Sequence, residues 1–218
     1  MPTPSTPSRG LRTVLLAVVA VGLVLLGGGL AVVLGLGGDD AAKPGAVDVG
    51  FSRDMATHHL QGVEMANLVA DHSSDPAVRG LAFDISATQT NQVGRMQGWL
   101  ALWGYSPTGG DLMSWMGSDM AGMHHGGSAE GSLMPGMATE DELANLRSLS
   151  GTAFDVEFLR LMIRHHQGGL GMAQYAEAHG ETAVVRSLAK SIADSQTAET
   201  KLMSGMLAER GGTPLPAP

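Results

Sequence analysis

The chain contains no cysteine, which removes disulfides, thiolate metal ligands and thiol nucleophiles. Aromatic residues are scarce, with four Phe, three Trp and two Tyr in 218 residues, so a core has to be built from Leu, Val, Ala and Met. Basic residues are outnumbered, 13 Lys and Arg against 21 Asp and Glu, for a formal net charge of −8. No basic stripe runs through the body, which argues against a nucleic-acid partner, because phosphate binding needs clustered cations. No stretch alternates apolar and polar residues over a useful length, so strands are not expected. Catalytic signatures are missing too: there is no nucleophile elbow, phosphate loop or H-E-x-x-H zinc motif. Carboxylate-bridged di-iron bundles need Glu three residues before a ligand His. Here Met55 and Ala56 precede His58 and His59, and Met162 and Ile163 precede His165 and His166. An enzyme is not expected.

What the chain does have is methionine, 14 residues of it, and one long apolar run. Arg9 and Arg12 precede an uncharged segment, 13–38, that ends at Asp39-Asp40. The 23 residues from Val14 to Leu36 suffice, as a helix, to cross a hydrocarbon core of ~30 Å. The basic flank predicts residues 1–12 in the cytoplasm and the body outside it. A cleaved signal segment is the competing reading, although its apolar region is usually only ~7–15 residues. The expected localisation is therefore the cell membrane, single-pass, with the C-terminal domain extracytoplasmic, or exported if the segment is cleaved.

After a tether at 39–47 the chain repeats itself. His58-His59 and His165-His166 are separated by 107 positions, and aligning 48–104 on 155–211 at that offset gives 23 identities in 57 positions, against the ~5–10% expected from composition. Asp48, Phe51, Met55, Gly62, Met65, Ala66 and His72 recur as Asp155, Phe158, Met162, Gly169, Met172, Ala173 and His179. Further along, Ile85, Gln89, Met96 and Leu100 recur as Ile192, Gln196, Met203 and Leu207.

In each copy the apolar positions follow helical spacing. Asp48 is expected to cap a helix running to His72, and Asp75-Pro76 to open a second that runs to about Trp103, with Gly104 as its stop. In the second copy, Asp155 is expected to start a helix to His179-Gly180, followed by one from about Glu181 to Arg210. The hairpins, 48–105 and 151–212, are each marginal alone and should dock to bury a shared core, giving an all-α four-helix bundle with internal pseudo-two-fold symmetry. Between them lies a Gly-, Ser- and Met-rich crossover, 106–138, then a short helix, 139–150, with Thr139 and Glu142 as a capping box. Residues 213–218 are expected to be a disordered tail.

Two constellations carry candidate chemistry. On a helix, Met55 lies one turn before His58 and His59, with Met65 further along the same face; Met162, His165, His166 and Met172 repeat the pattern. Adjacent histidines point about 100° apart, so one ring of each pair is expected to meet a neighbouring helix, where the other repeat could complete a site. Imidazole suits Zn, Cu, Ni and Fe, and thioether adds a bias toward Cu(I). The plain alternative is a buried His bonded to a carbonyl beside Met packing. His72 and His179, at helix ends, read as interacting with the C-terminal dipole or as accessory ligands. In the crossover, Met116, Met120 and Met123 are spaced i, i+4, i+7 and lead into His124-His125 among glycines. Such a segment offers soft donors or is a linker lying over the bundle.

The stretch Phe158 to Ala173 (FLRLMIRHHQGGLGMA), with its lead Gly151 to Asp155 and with Met137 to Leu143 before that, resembles the signature of the bacterial "domain of unknown function 305" family. The resemblance implies a ferritin-like helical bundle. It also implies kinship with exported copper-binding proteins, with His58, His59, His165, His166, Met55, Met65, Met162 and Met172 as ligands. The first copy departs from the pattern at Ala56-Thr57 and Leu60-Gln61, where the second has Ile163-Arg164 and Gln167-Gly168. The function expected is sequestration or handover of a copper ion at the membrane, with a homo-oligomer or a copper-transfer protein as further partner. A non-metal helical module of the cell envelope is the alternative.

Overall fold

The computed structural model describes residues 43–117 and 131–218. The expected membrane segment, Met120, Met123, His124 and His125 lie outside them. Among the described residues there are five helices and no strand, and no helix is long and apolar enough to cross a membrane.

The first hairpin is α1 (Ala46–His72) and α2 (Pro76–Trp103); the second is α4 (Gly151–His179) and α5 (Ala183–Glu209), with the short α3 (Glu140–Ser148) between them. The hairpins join through α1 against α4. These two run antiparallel: Asp48, at the start of α1, accepts from the amides of Glu181 and Thr182 just past the end of α4. At the other end, the His72 ring donates from Nδ1 to the carbonyl of Leu149 and stacks on Phe154 at the start of α4.

Local chemistry explains most boundaries. Asp75 accepts from the amides of Ala77 and Val78 and caps α2, with Pro76 in its first turn. Gly104 closes α2 in the left-handed region, φ 78°, where a Cβ would be costly. Thr139 and Glu142 form the reciprocal capping box of α3.

Two expected starts are corrected. Helix α1 begins at Ala46, so Asp48 is a first-turn residue rather than the cap, and its carboxylate reaches back to the Gly45 amide at 3.0 Å. Helix α4 begins at Gly151, four residues before Asp155. Nothing between them breaks a helix, and Phe154 and Phe158, one turn apart and fully buried, stack with ring planes 3° apart.

The core has two apolar clusters. One gathers Met65, Ile85, Phe154, Phe158, Met162 and Met203; the other gathers Phe51, Met55, Met96, Met172, Val185 and Ile192. Along α1 and α4 the paired histidines sit between them.

Candidate metal site between the two repeats

The histidine pairs meet where α1 crosses α4. His58, His59, His165 and His166 have no solvent exposure, and the rings of His58 and His165 face each other across the repeat boundary with centroids 3.9 Å apart. Within each pair the rings diverge, at 6.3 Å for His58–His59 and 6.2 Å for His165–His166, as neighbours on one helix must. One ring of each pair thus faces the other repeat, and its neighbour faces the second helix of its own hairpin.

Glycine makes this approach sterically feasible. A Cβ on Gly62 would stand 2.9 Å from Cε1 of His165 and 2.3 Å from Oε1 of Gln89; one on Gly169 would stand 3.2 Å from Cε1 of His58 and 2.9 Å from Nε2 of Gln196. The duplicated Gly62/Gly169 therefore cradles the opposite repeat's imidazole against its own hairpin's buried glutamine.

The hydrogen bonds treat the two ring nitrogens differently. Nε2 of His58 donates to the Pro135 carbonyl at 3.1 Å, and Nε2 of His165 to the His58 carbonyl at 2.9 Å. Nε2 of His59 donates to Oε1 of Gln92 at 2.7 Å, and Nε2 of His166 to Oε2 of Glu199 at 2.6 Å. All four Nδ1 atoms are buried and have no partner, and the side-chain amides of Gln89 and Gln196 are also left incomplete. Desolvation keeps His58 and His59 neutral, lowering them from 6.5 to about 4 and about 3, and pushes His165 down as well. Each of these three rings therefore turns an unprotonated lone pair into the core.

The methionines flank this layer. Met55 and Met172 pack in the cluster on one side, Met65 and Met162 in the cluster on the other. Among the described residues no three His, Asp or Glu side chains converge as a metal cage.

The described parts of the crossover, 106–117 and 131–138, are seated against the bundle. Met113, Met116, Met134 and Met137 are buried, as in a linker lying over the bundle. Asp54 accepts from the Met113 amide at 2.7 Å and the Trp115 indole at 2.8 Å, and Gln61 clasps both the amide and the carbonyl of Ala138. A cavity of about 230 Å³ opens beside the layer, its lining including Met113, Met116, Met172, Pro135 and Gly168. The structure thus brings Met116 and Met172, which belong to separate motifs, onto one surface. His72 and His179 stay apart from the layer: His72 is engaged by Leu149, and His179 lies exposed beside Tyr175.

Sequence reasoning missed Gln89, Gln196, Gln92 and Glu199 as parts of the site. The first two carried a signal, a polar residue duplicated on an apolar stripe. Gln92 and Glu199 differ between the copies and gave none.

The profile of the domain of unknown function DUF305 matches residues 48–207, the span that holds both histidine pairs and the crossover. The chain belongs to the DUF305 family. A DUF305 protein of Streptomyces coelicolor is 41% identical and superposes with a TM-score of 0.68 over 77% of this chain and 94% of its own. A DUF305 fragment from Deinococcus radiodurans is 32% identical, with a TM-score of 0.63 over 76% and 98%. CopM in its Cu(I)-bound form is 25% identical, with a TM-score of 0.58 over 76% and 98%; CopM is also solved with Cu(II) and with silver. Among curated proteins none matches the chain.

Proposed function

We propose that this DUF305 protein is a membrane-anchored, extracytoplasmic, ferritin-like bundle that binds copper, as Cu(I), for sequestration or handover, and that it is not an enzyme. The observation that carries the reading is the set of unpartnered Nδ1 atoms on four buried imidazoles. Buried polar groups are normally hydrogen-bonded, and a half-satisfied polar network is worse than an apolar core. A purely structural network would close on itself; this one leaves its lone pairs open. Imidazole with thioether is a soft donor set, suited to Cu(I) where thiols would oxidise. His58, His59, His165 and His166 would hold the ion, with Met55, Met65, Met162 and Met172 supplying sulfur. The Nε2–H bonds fix each ring's orientation, as outer partners do at metal sites. The CopM structures with bound Cu(I), Cu(II) and silver support the choice of metal. The apolar run 13–38 behind Arg9 and Arg12 supports the anchor and its orientation.

The test is a competition titration of the full-length protein against a Cu(I) chelator. Wild type is expected to take copper from the chelator at micromolar metal, and a His165→Ala/His166→Ala double variant to lose stoichiometry. No competition by wild type would end the copper reading. A double variant with unchanged stoichiometry would move the site elsewhere in the chain, with deletion of 111–137 as the parallel measurement for the crossover.

A further inference from the structure

The duplication supplies an internal comparison. His59 and His166 occupy equivalent positions, both fully buried, and each donates from Nε2 to the side chain 33 residues further on, in the second helix of its own hairpin. The acceptors differ. In the first repeat it is Gln92, a neutral amide only 6% exposed. In the second it is Glu199, a carboxylate whose side chain is 24% exposed. No carboxylate among the described residues bonds to His58, His59 or His165.

Three consequences follow from that one exchange. A carboxylate behind an imidazole raises the basicity of the other nitrogen and locks the tautomer, as in carboxylate–histidine–metal triads. It also places a negative charge one ring away from the open Nδ1, where an entering cation sheds water and needs compensation. Finally, its side chain is partly exposed, whereas Gln92 is nearly buried. We infer that Glu199 is a positioning residue that makes the two halves of the histidine layer unequal, so that a soft monovalent cation loads the His165/His166 half first and more tightly. This rests on the copper reading above and deepens it.

The experiment uses the full-length protein, wild type, Glu199→Gln, Gln92→Glu and the exchange carrying both, titrated with Cu(I) against a chelator while histidine ¹⁵N spectra record which rings respond. Glu199→Gln copies the amide that the first repeat already accommodates. In the metal-free protein, His166 is expected to hold a single Nε2–H tautomer that Glu199→Gln loosens while His59 stays unchanged. On loading, His166 is expected to respond before His59 in wild type. Glu199→Gln should weaken the first binding step by about 10- to 100-fold without changing stoichiometry, and the exchange variant should reverse the order of His59 and His166. Wild type that binds no copper overturns the copper reading and this inference together. Wild type that binds copper while Glu199→Gln matches its affinity and order overturns this inference alone. If Glu199→Gln does not fold, Gln92→Glu decides: tighter loading at His59 supports the inference, and unchanged loading contradicts it.

Discussion

At the scale of single residues, His58, His59 and His165 are held neutral by burial, and this has a consequence for stability. In the unfolded chain His58 and His59 titrate near 6.5; in the fold they do so at about 4 and about 3 because desolvation penalises the imidazolium. Between those values the unfolded state binds more protons, so stability falls as pH drops. Each such ring adds a slope of up to about 1.4 kcal/mol per pH unit. Asp48, Asp75 and Glu142 are shifted downward by hydrogen bonds and, for the latter two, arginine partners, so their contribution is lost only at lower pH, below the ordinary carboxylate range. Asp54 and Glu181 are shifted upward by burial and add stability as pH falls, opposing the histidines, so over the window from about 6.5 to 4.5 the histidine share is the difference between wild type and a variant lacking a ring. Urea unfolding of the metal-free protein across it should show the midpoint falling steadily, and a His59→Gln variant should flatten the slope. Equal slopes for wild type and His59→Gln over this window would mean that the ring is not buried neutral. The identity of these four residues was legible in the sequence through their duplication. Which nitrogen is left open was not, since that depends on carbonyls and amides contributed by Pro135, His58, Gln92 and Glu199.

At the scale of elements, the departures between the copies now have a reason. Where the first repeat has Thr57 and Gln61, the second has Arg164 and Gly168, and all but Thr57 hold the crossover or α3. Arg164 pairs with Glu142 of α3 at 2.5 Å, and Gln61 binds Ala138 through two hydrogen bonds. Gly168 leaves room for the Pro135 carbonyl: a Cβ there would stand 2.0 Å from that oxygen, and one on Gly136, itself at φ 78°, would stand 2.4 Å from the Arg164 carbonyl. Two backbones are in direct contact, and the carbonyl they admit accepts the hydrogen bond from His58 Nε2. Gly168→Ala should therefore cost about 1–3 kcal/mol by overpacking. Gly171→Ala, with nothing within 4 Å of the new Cβ, should be neutral or gain up to about 1 kcal/mol in helix propensity. Denaturant midpoints of the two variants provide the check; equal stability would mean the crossover is not seated on α4. The helices and most of their caps were readable from spacing and turn chemistry; the ends that moved are Ala46, where Asp48 reaches back to the Gly45 amide, and Gly151, where Phe154 packs one turn before Phe158.

At the scale of the whole molecule, the duplication produces an antiparallel α1–α4 pair whose crossing point is a polar layer between two apolar clusters. Docking two duplicated faces brings each histidine pair opposite the other, which is why a motif too divergent to chelate from one helix gains partners in the bundle. That pairing was foreseeable from the repeat, whereas the seating of Met113, Met116 and Pro135 against the layer was not, because the spacing of Met116, Met120 and Met123 stands among glycines and names no partner surface. The proposed metal site is the set of open Nδ1 atoms in this layer. The most direct measurement is histidine-selective ¹⁵N NMR of the full-length protein during titration with Ag(I), a diamagnetic stand-in for Cu(I). The expected result is that the Nδ1 signals of His58, His59, His165 and His166 shift on loading while those of His72 and His179 stay in place. Silver bound at full stoichiometry with the four layer signals unmoved would contradict it.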